Sequence, residues 1–434
     1  SCSRAESSLE CSGCKAEMMW IWGRLRMRYR IVEVELARPV APLAIGTDES
    51  GAGLIARLDG RLIGFHMLPL SPGTQLSQEA TEALLDNAFA KSVLRARIEA
   101  ELAQDSAASP APPLPGLTIA ICTKDRAERL ARLLEALAQV TATSPFPFTE
   151  VLVIDNAPSD SATADAVACF AGMRYAMEPK AGLNFARNAA LAGARGELLA
   201  FLDDDVVIDR EWLTGLAIAC RSAPDAGGFT GLVLPYKLDT DARVAFEARG
   251  GFGRGFERRE WHAASFAHEL HPVGAGLMGA GCNMAFKTDL LRAIGGFDDA
   301  LDTGAPLPGG GDLDIFYRVL RTGRPMVYEP RYAVYHEHRE TIKQLRRQYW
   351  TWGLGMMAFL DKAMRSDPEI LDRHRAMRRW WHVYQMREIA KAAARLRLRD
   401  LSFAVAEYAG GIQGMIGEYE RSERRVAAIR GQGR

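Results

Sequence analysis

The chain has 434 residues, 48% of them hydrophobic, and its 54 Lys and Arg balance 54 Asp and Glu. That apolar content excludes a disordered carrier, and zero net charge argues against a chain built as a whole to bind nucleic acid. Ordinary Gly, Pro and Cys usage excludes collagen-like, mucin-like and disulfide-scaffold classes, and no run of ~18 apolar residues offers a transmembrane helix.

Residues 1–27 read as an unstructured leader, ahead of a natural start near Met18, Met19 or Met27. Cys11 and Cys14 form a CxxC with Cys2 upstream, but no second ligand pair completes a zinc site. The other four cysteines, Cys122, Cys169, Cys220 and Cys282, sit singly in apolar surroundings, as reduced buried thiols of a cytoplasmic protein do. Residues 28–104 read as a small accessory β-rich module with a helix. Arg30 to Leu36 alternates apolar and polar, and Asp59-Gly60 is a hairpin turn between two further strands. A helix from Ser77 to Leu102 carries Leu84, Phe89, Val93, Leu94 and Ile98 at near-helical spacing. Residues 105–116, rich in Pro, Ala and Ser, read as an extended spacer.

Residues 117–340 have the rhythm of an α/β domain with a largely parallel sheet. Strands are expected at Leu117 to Cys122, Val151 to Asp155 and Glu197 to Leu202, with a helix from Phe185 to Gly193 before the last. Two separate strands follow at Pro325 to Tyr328 and Arg331 to Tyr335. In such sheets ligands bind where strands end, and these ends carry Thr123-Lys124-Asp125-Arg126, Asp155-Asn156 and Asp203-Asp204-Asp205. Residues 341–434 are helical and basic, with fourteen Lys and Arg against five Asp and Glu between Lys343 and Arg399, interleaved with Trp and Tyr. A solvated face with aromatic staples onto the core is one reading, and a surface lying on anionic lipid is another.

Four groups of residues are candidates for chemistry. Asp203 and Asp205 at a strand terminus suit a shared Mg²⁺ or Mn²⁺ beneath a diphosphate, or else an acidic turn before the next helix. Asp312, after Gly309, Gly310 and Gly311, suits a general base at a helix start, where a carboxylate is otherwise a cap. Arg187, in Gly182 to Asn188, suits a diphosphate or sugar, or else the segment is a surface helix start. His336 and His338 share a strand face and would complete a cation site or contact phosphate, or else form a solvated strand end.

Taken in order, Ile121 to Arg126, Val153 to Asn156, Gly182 to Asn188, Phe201 to Asp205, Gly279 to Phe286, Ile294 to Asp298 and Gly309 to Asp314 resemble the motifs of a family-2 glycosyltransferase. The resemblance covers about half the chain. It implies a glycosyltransferase A-type, Rossmann-like mixed sheet flanked by helices, here with the N-terminal module and a C-terminal helical extension. It implies transfer of a single sugar from a nucleoside-diphosphate sugar to a hydroxyl, with inversion, in cell-surface polysaccharide or glycolipid synthesis. The basic, aromatic tail in turn favours a cytoplasmic protein peripheral at the inner face of the plasma membrane. By the resemblance, Thr123, Asp125, Asp155, Arg187, Asp203 and Asp204 hold the nucleotide-sugar. Asp205 with Asp203, and less directly His336, hold Mn²⁺ or Mg²⁺. Asp312 deprotonates the acceptor, a saccharide or lipid-linked saccharide, which Gly281, Asn283, Gly310 and Gly311 shape on its side.

Two departures stand out. Many relatives carry Glu where this chain has Gly311, so a neighbour of the base is missing. The Gln-x-x-Arg-Trp of processive synthases survives only as Gln344-Leu-Arg-Arg347-Gln348, which favours single transfer. A sugar-phosphate nucleotidyltransferase is the second enzyme reading, but Thr123 to Arg126 stands where its glycine-rich phosphate loop belongs. An inactive binding subunit is the third, against which Asp203, Asp205 and Asp312 are retained.

Overall fold

The structure is a computed structural model that describes residues 27–105, 112–263, 270–304 and 307–431. The expected leader with Cys2, Cys11 and Cys14, and half of the expected spacer, lie outside the described residues.

The first strands are β1 (Tyr29–Glu35), β2 (Leu43–Ala44), β3 (Gly51–Leu58), β4 (Arg61–Pro69) and β5 (Gln75–Leu76), followed by α1 (Gln78–Asp105). β3 pairs parallel to β1 and antiparallel to β4. Asp59 and Gly60 at the β3–β4 turn both take positive φ, 51° and 83°, as a two-residue hairpin requires. This sheet is not a detached accessory. Its Ile55 and Leu62 share one buried cluster with Phe201, Phe286 and Tyr328 of the large sheet. Arg57, itself buried, pairs with the buried Asp209 and with Glu33, and donates to the Tyr335 hydroxyl at 2.9 Å. On α1 the expected apolar stripe divides. Phe89 is buried in the small sheet's core and Leu84 and Val93 pack against it half-buried, whereas Leu94 and Ile98 are exposed because they lie off the helix face that buries Leu85, Phe89 and Ala96.

The large unit begins β6 (Leu117–Thr123), α2 (Ala127–Thr141), β7 (Thr149–Asn156), α3 (Ala162–Ala168), β8 (Arg174–Glu178), α4 (Leu183–Gly193) and β9 (Leu198–Asp203). It continues with β10 (Val206–Ile208), α5 (Trp212–Ser222), β11 (Gly228–Pro235), α6 (Asp241–Ala248), β12 (Arg259–Trp261), β13 (Asn283–Lys287), α7 (Thr288–Ala293), α8 (Gly311–Arg321) and β14 (Met326–His336). The sheet order is β10-β14-β11-β13-β9-β6-β7-β8, with β12 on β14. β9, β6, β7 and β8 are parallel, and β13 enters antiparallel to β9 and β11. Every residue of β6 is buried, so its continuous apolar run reads as a central strand rather than an alternating one. This is the expected mixed α/β fold.

β7 and β8 add on one side of β6 and β9 on the other. The strand order therefore reverses between β6 and β9, and a crevice opens beyond their carboxyl ends. The two strands expected around Glu329 and Pro330 form the single strand β14, with a register shift against β11 between Gly231 and Val233. Cys122, Cys220 and Cys282 are buried as expected, but Cys169 is exposed at the end of α3.

The chain ends in four helices, α9 (Ile342–Ser366), α10 (Leu371–Ala394), α11 (Leu398–Gly414) and α12 (Glu418–Gly431). Thr341 and Gln344 close a capping box at the start of α9, with each side chain bonded to the other's backbone. Gln344 is thus a helix cap. Tyr349 stacks on Phe403 at 5.1 Å and Trp381 on Tyr408 at 5.9 Å, so part of the aromatic set staples this bundle together.

Glu407 of α11 has its carboxyl pushed up to about 7 by burial, against the opposing pull of Gln385 and Arg249. The folded value lies above the unfolded one of about 4.3, so its contribution to stability is present below that pH and lost as pH rises through 7. Glu407→Gln is therefore expected to raise Tm at pH 8 by about 2–4 °C, the shift that ~1 kcal/mol gives. Little gain is expected at pH 5. Equal gains at both pH values in a thermal melt would contradict the assignment.

Candidate active site

A cleft of about 630 Å³ opens at the strand-order reversal and is lined by Thr123, Lys124, Asp125, Arg126, Asn156, Gly182, Asp203, Asp204, Asp205, Asp302, Arg339 and Arg425, among others. Its floor is the Asp203-Asp204-Asp205 turn between β9 and β10. Asp204 is buried and accepts from the Thr123 hydroxyl at 2.7 Å and from Arg126 Nη1 at 2.8 Å, so its carboxylate locks the turn to the end of β6. With Asp204 turned that way, the flanking aspartates separate. Asp203 faces Arg187, with Nη2 3.9 Å from its Oδ1, and burial pushes its carboxyl up to about 7 against the pull of Arg187. Asp205 faces β14, where His336 Nε2 lies 3.4 Å from Oδ1.

That Asp205 Oδ1 is buried and accepts no hydrogen bond among the described residues. A buried carboxylate oxygen without a donor is costly unless something positive meets it. Asp205 and His336 thus fit a divalent cation that takes its remaining ligands from phosphate oxygens and water. No group of three or more His, Cys, Asp or Glu among the described residues is arranged to hold an ion alone. The histidine pair does not act as one unit. His336 and His338 stack with Nδ1 atoms 3.0 Å apart, but His338 Nε2 turns away to Glu247 Oε1 at 2.6 Å. Burial and the neighbouring His338 drive the His336 pKa well below its ordinary value, so its ring is neutral, as a metal ligand must be.

Asp312 opens α8, one residue after Gly311 and behind the left-handed Gly310. A Cβ built at Gly281 would lie 3.2 Å from Asp312 Cβ and 3.3 Å from Arg187 Nη2, so these three positions meet at one point. Asp312, Asp203 and Asp205 also all act electrostatically on the Cys282 thiol, whose pKa burial and these charges raise well above normal. The proposed base and the metal-side aspartates therefore share one site. Gly309 and Gly310 rest directly on Gly355 of α9 (a Cβ at 310 would lie 2.7 Å from the Gly355 carbonyl), so the C-terminal bundle supports the loop that presents Asp312.

Asn283 and Asp155 fall elsewhere, whereas Asp125 lines the cleft. Asn283 is not on the acceptor side. It is buried within the sheet, accepting from Trp212 Nε1 at 3.0 Å and donating to the Tyr332 carbonyl at 2.8 Å, because the buried indole and carbonyl need those partners. Asp155 is fully buried and accepts from the Tyr175 hydroxyl at 3.0 Å, while its neighbour Asn156 lines the cleft. Burial raises the Asp155 pKa, and its Oδ1 has no partner among the described residues. Asp125, with φ 52°, accepts from the Ser159 amide at 2.9 Å and hydroxyl at 2.8 Å, which lower its pKa.

Three cleft residues had no signal in the sequence, Asp302, Arg339 and Arg425. Arg187 is buried and held by Asp302 Oδ2 at 3.0 Å and Asn184 Oδ1 at 3.1 Å, and burial pushes the Asp302 carboxyl up to about 6. Arg339 follows the histidine pair, and Arg425 reaches the cleft from α12, more than 200 residues after the aspartate turn. With Lys124 and Arg126 they make the cleft wall basic above an acidic floor. An arginine run such as Arg421, Arg424, Arg425 looks like a solvated face in sequence, and only the docking of α12 singles out one member.

Residues 118–244 match the family model described as Glycosyl transferase family 2. That segment is similar to a family 2 glycosyl transferase domain. The chain is 27% identical over 251 residues to the succinoglycan biosynthesis protein ExoM of Rhizobium meliloti, a match covering 55% of this chain and 72% of that protein. It is 24% identical over 259 residues to the pre-mycofactocin glycosyltransferase of Mycobacterium tuberculosis, covering 58% of this chain and half of that protein's length. Among solved structures, the mannosyltransferase PcManGT from Pyrobaculum calidifontis, in complex with GDP-Man and Mn²⁺, aligns over 79% of this chain and 96% of its own at TM-score 0.41 and 16% identity. S. aureus TarS 1–349 in complex with UDP aligns over 67% and 90% at TM-score 0.41 and 15% identity.

Proposed function

We propose that this chain transfers a single sugar from a nucleoside-diphosphate sugar to an acceptor hydroxyl with inversion, in the synthesis of a cell-surface polysaccharide or glycolipid. The observation that carries the reading is that Asp312 meets Arg187 at Gly281, and Arg187 in turn faces Asp203 of the turn that floors the cleft. The family match and the relation to a succinoglycan biosynthesis protein support it. The diphosphate lies over the acidic turn and against the basic wall, where Lys124, Arg126, Arg339 and Arg425 meet its charge. A divalent cation held by Asp205 and His336 would supply further positive charge against the leaving diphosphate.

Asp312 accepts the proton of the acceptor hydroxyl as its oxygen attacks the anomeric carbon. The bond from that carbon to the diphosphate oxygen breaks on the opposite face, and its electron pair leaves with the diphosphate. Gly281, facing Asp312, leaves room for the acceptor where a side chain would crowd the base. Loss of a general base costs roughly 10²- to 10⁴-fold in rate. Asp312→Asn is therefore expected to lower kcat by at least about 100-fold while Kd for the donor nucleotide, read by calorimetry, stays within about threefold. Transfer at the unaltered rate would remove Asp312 from the base role.

The acceptor is a saccharide or lipid-linked saccharide presented at an anionic membrane surface. No helix among the described residues is long and apolar enough to cross a membrane. The α10–α11 turn, however, presents Leu396 (82% exposed) and Leu398 (74% exposed) between Arg395, Arg397 and Arg399, with Trp380 stacked on Tyr384 on the exposed face of α10. Exposed leucines alternating with arginines suit the boundary between anionic headgroups and acyl chains. The protein is expected to sediment with phosphatidylglycerol vesicles at 0.1 M salt and not with phosphatidylcholine vesicles. Leu396→Ser with Leu398→Ser should abolish that sedimentation. Equal recovery with both lipids, or with neither, would contradict the membrane assignment.

A further inference from the structure

Asp302 lies on the loop after α7, and nothing in the family match, which ends at residue 244, reaches it. Its backbone is in the left-handed region, φ 54°, and its carbonyl accepts from the Leu183 amide at 2.9 Å at the start of α4. The loop is thereby tied to the helix that carries Arg187. Its carboxylate is oriented by two further groups, Arg187 Nη1 at 3.0 Å and the backbone N–H of Gly311.

The relation to Gly311 is closer than a hydrogen bond alone implies. A Cβ built on Gly311 would lie 2.2 Å from Asp302 Oδ2 and 2.6 Å from Asn184 Nδ2. An aspartate's own Cβ and carboxylate oxygens stand about 2.4 Å apart, two standard bonds around a carbon. The Asp302 oxygen thus occupies the volume that a carboxylate on residue 311 would occupy, beside the base and against Arg187. Gly311 is required by this approach, and the side chain it lacks is supplied from a loop nine positions earlier.

We propose that Asp302 is a positioning residue for the transfer, a carboxylate delivered in trans to position 311 that fixes Arg187 on one side and the first turn of α8, with Asp312, on the other. Through these two contacts it sets the spacing between the base and the guanidinium that faces Asp203. The inference rests on the proposed roles of Arg187 and Asp312, and its test includes a measurement that does not depend on them.

The test is a reciprocal exchange in the full chain, with Asp302→Asn, Asp302→Gly, Gly311→Asp and the double variant Asp302→Gly/Gly311→Asp. Asparagine and glycine both tolerate φ 54°, so neither change strains the loop. Gly311→Asp alone sets two carboxylates in one volume and is expected to lower Tm. The double variant is expected to recover the wild-type Tm, an outcome read without any substrate. With a nucleotide-sugar that the wild type consumes, Asp302→Asn and Asp302→Gly are expected to lose at least about tenfold in kcat with donor KM within about threefold, and the double variant to return to within about threefold of the wild-type kcat. Recovery of Tm without kcat would leave Asp302 a packing residue and overturn the proposal, as would wild-type kcat in Asp302→Asn. Failure of the double variant to recover Tm would overturn the shared position itself. A wild type that consumes no nucleotide-sugar would count against the proposed function, while the Tm cycle would still decide the shared position.

Discussion

Three carboxylates, those of Asp203, Asp302 and Asp312, act on one buried guanidinium, with Asp205 turned away from it to His336, and the rest of the site follows from that surplus of acid. Carboxylates this close in a poorly solvated place cannot all stay ionised without positive charge nearby. Arg187 supplies one such charge. It is buried, bracketed by Asp302 and Asp203, stacked over the Phe297 ring at 5.4 Å, and held protonated by those acids in spite of its burial. The remaining deficit appears in the raised pKa values of Asp203 and Asp302 and in the unpartnered oxygen of Asp205. Surplus acid on the floor and arginines along the wall are the features on which the proposed binding of a cation and a diphosphate rests.

Every other part of the structure sets the position of one of these groups. The order reversal between β6 and β9 leaves the crevice, and the buried run of β6 places Thr123 where it draws Asp204 out of the way. α4 carries Arg187 to the site. The C-terminal bundle meets the Gly309–Gly310 loop through Gly355 and sends Arg425 from α12 into the cleft, so the basic tail is part of the site's wall. The N-terminal sheet is fixed by Arg57 to Asp209, six residues after Asp203, and closes the core beneath the same turn.

The sequence carried the sheet and the acidic positions because they leave local marks. β6 is a buried, mostly apolar run ending in Thr123, β9 is an uninterrupted apolar run ending in acid, and three glycines and a carboxylate mark the start of α8. Contacts made between distant segments leave no such mark. Asp302 sits in an unremarkable Asp-Ala-Leu-Asp-Thr stretch, and its meeting with Gly311 depends on how two loops cross. For the same reason the missing side chain at 311 read as a loss, although a carboxylate stands in its place. Asn283 misled in the opposite sense. It lies within a glycine-rich motif that reads as loop, but it is the first residue of β13, and a buried indole and carbonyl claim its amide.

The central claim is that Asp312 and the diphosphate-binding turn act from opposite sides of one anomeric carbon. The most direct measurement is the configuration of the first product formed, read by proton NMR from the anomeric coupling before mutarotation or further reaction obscures it. The account predicts an anomeric configuration opposite to that of the nucleotide-sugar consumed. A product with the donor's own configuration would contradict it, because one carboxylate acting on the incoming hydroxyl gives no route to retention.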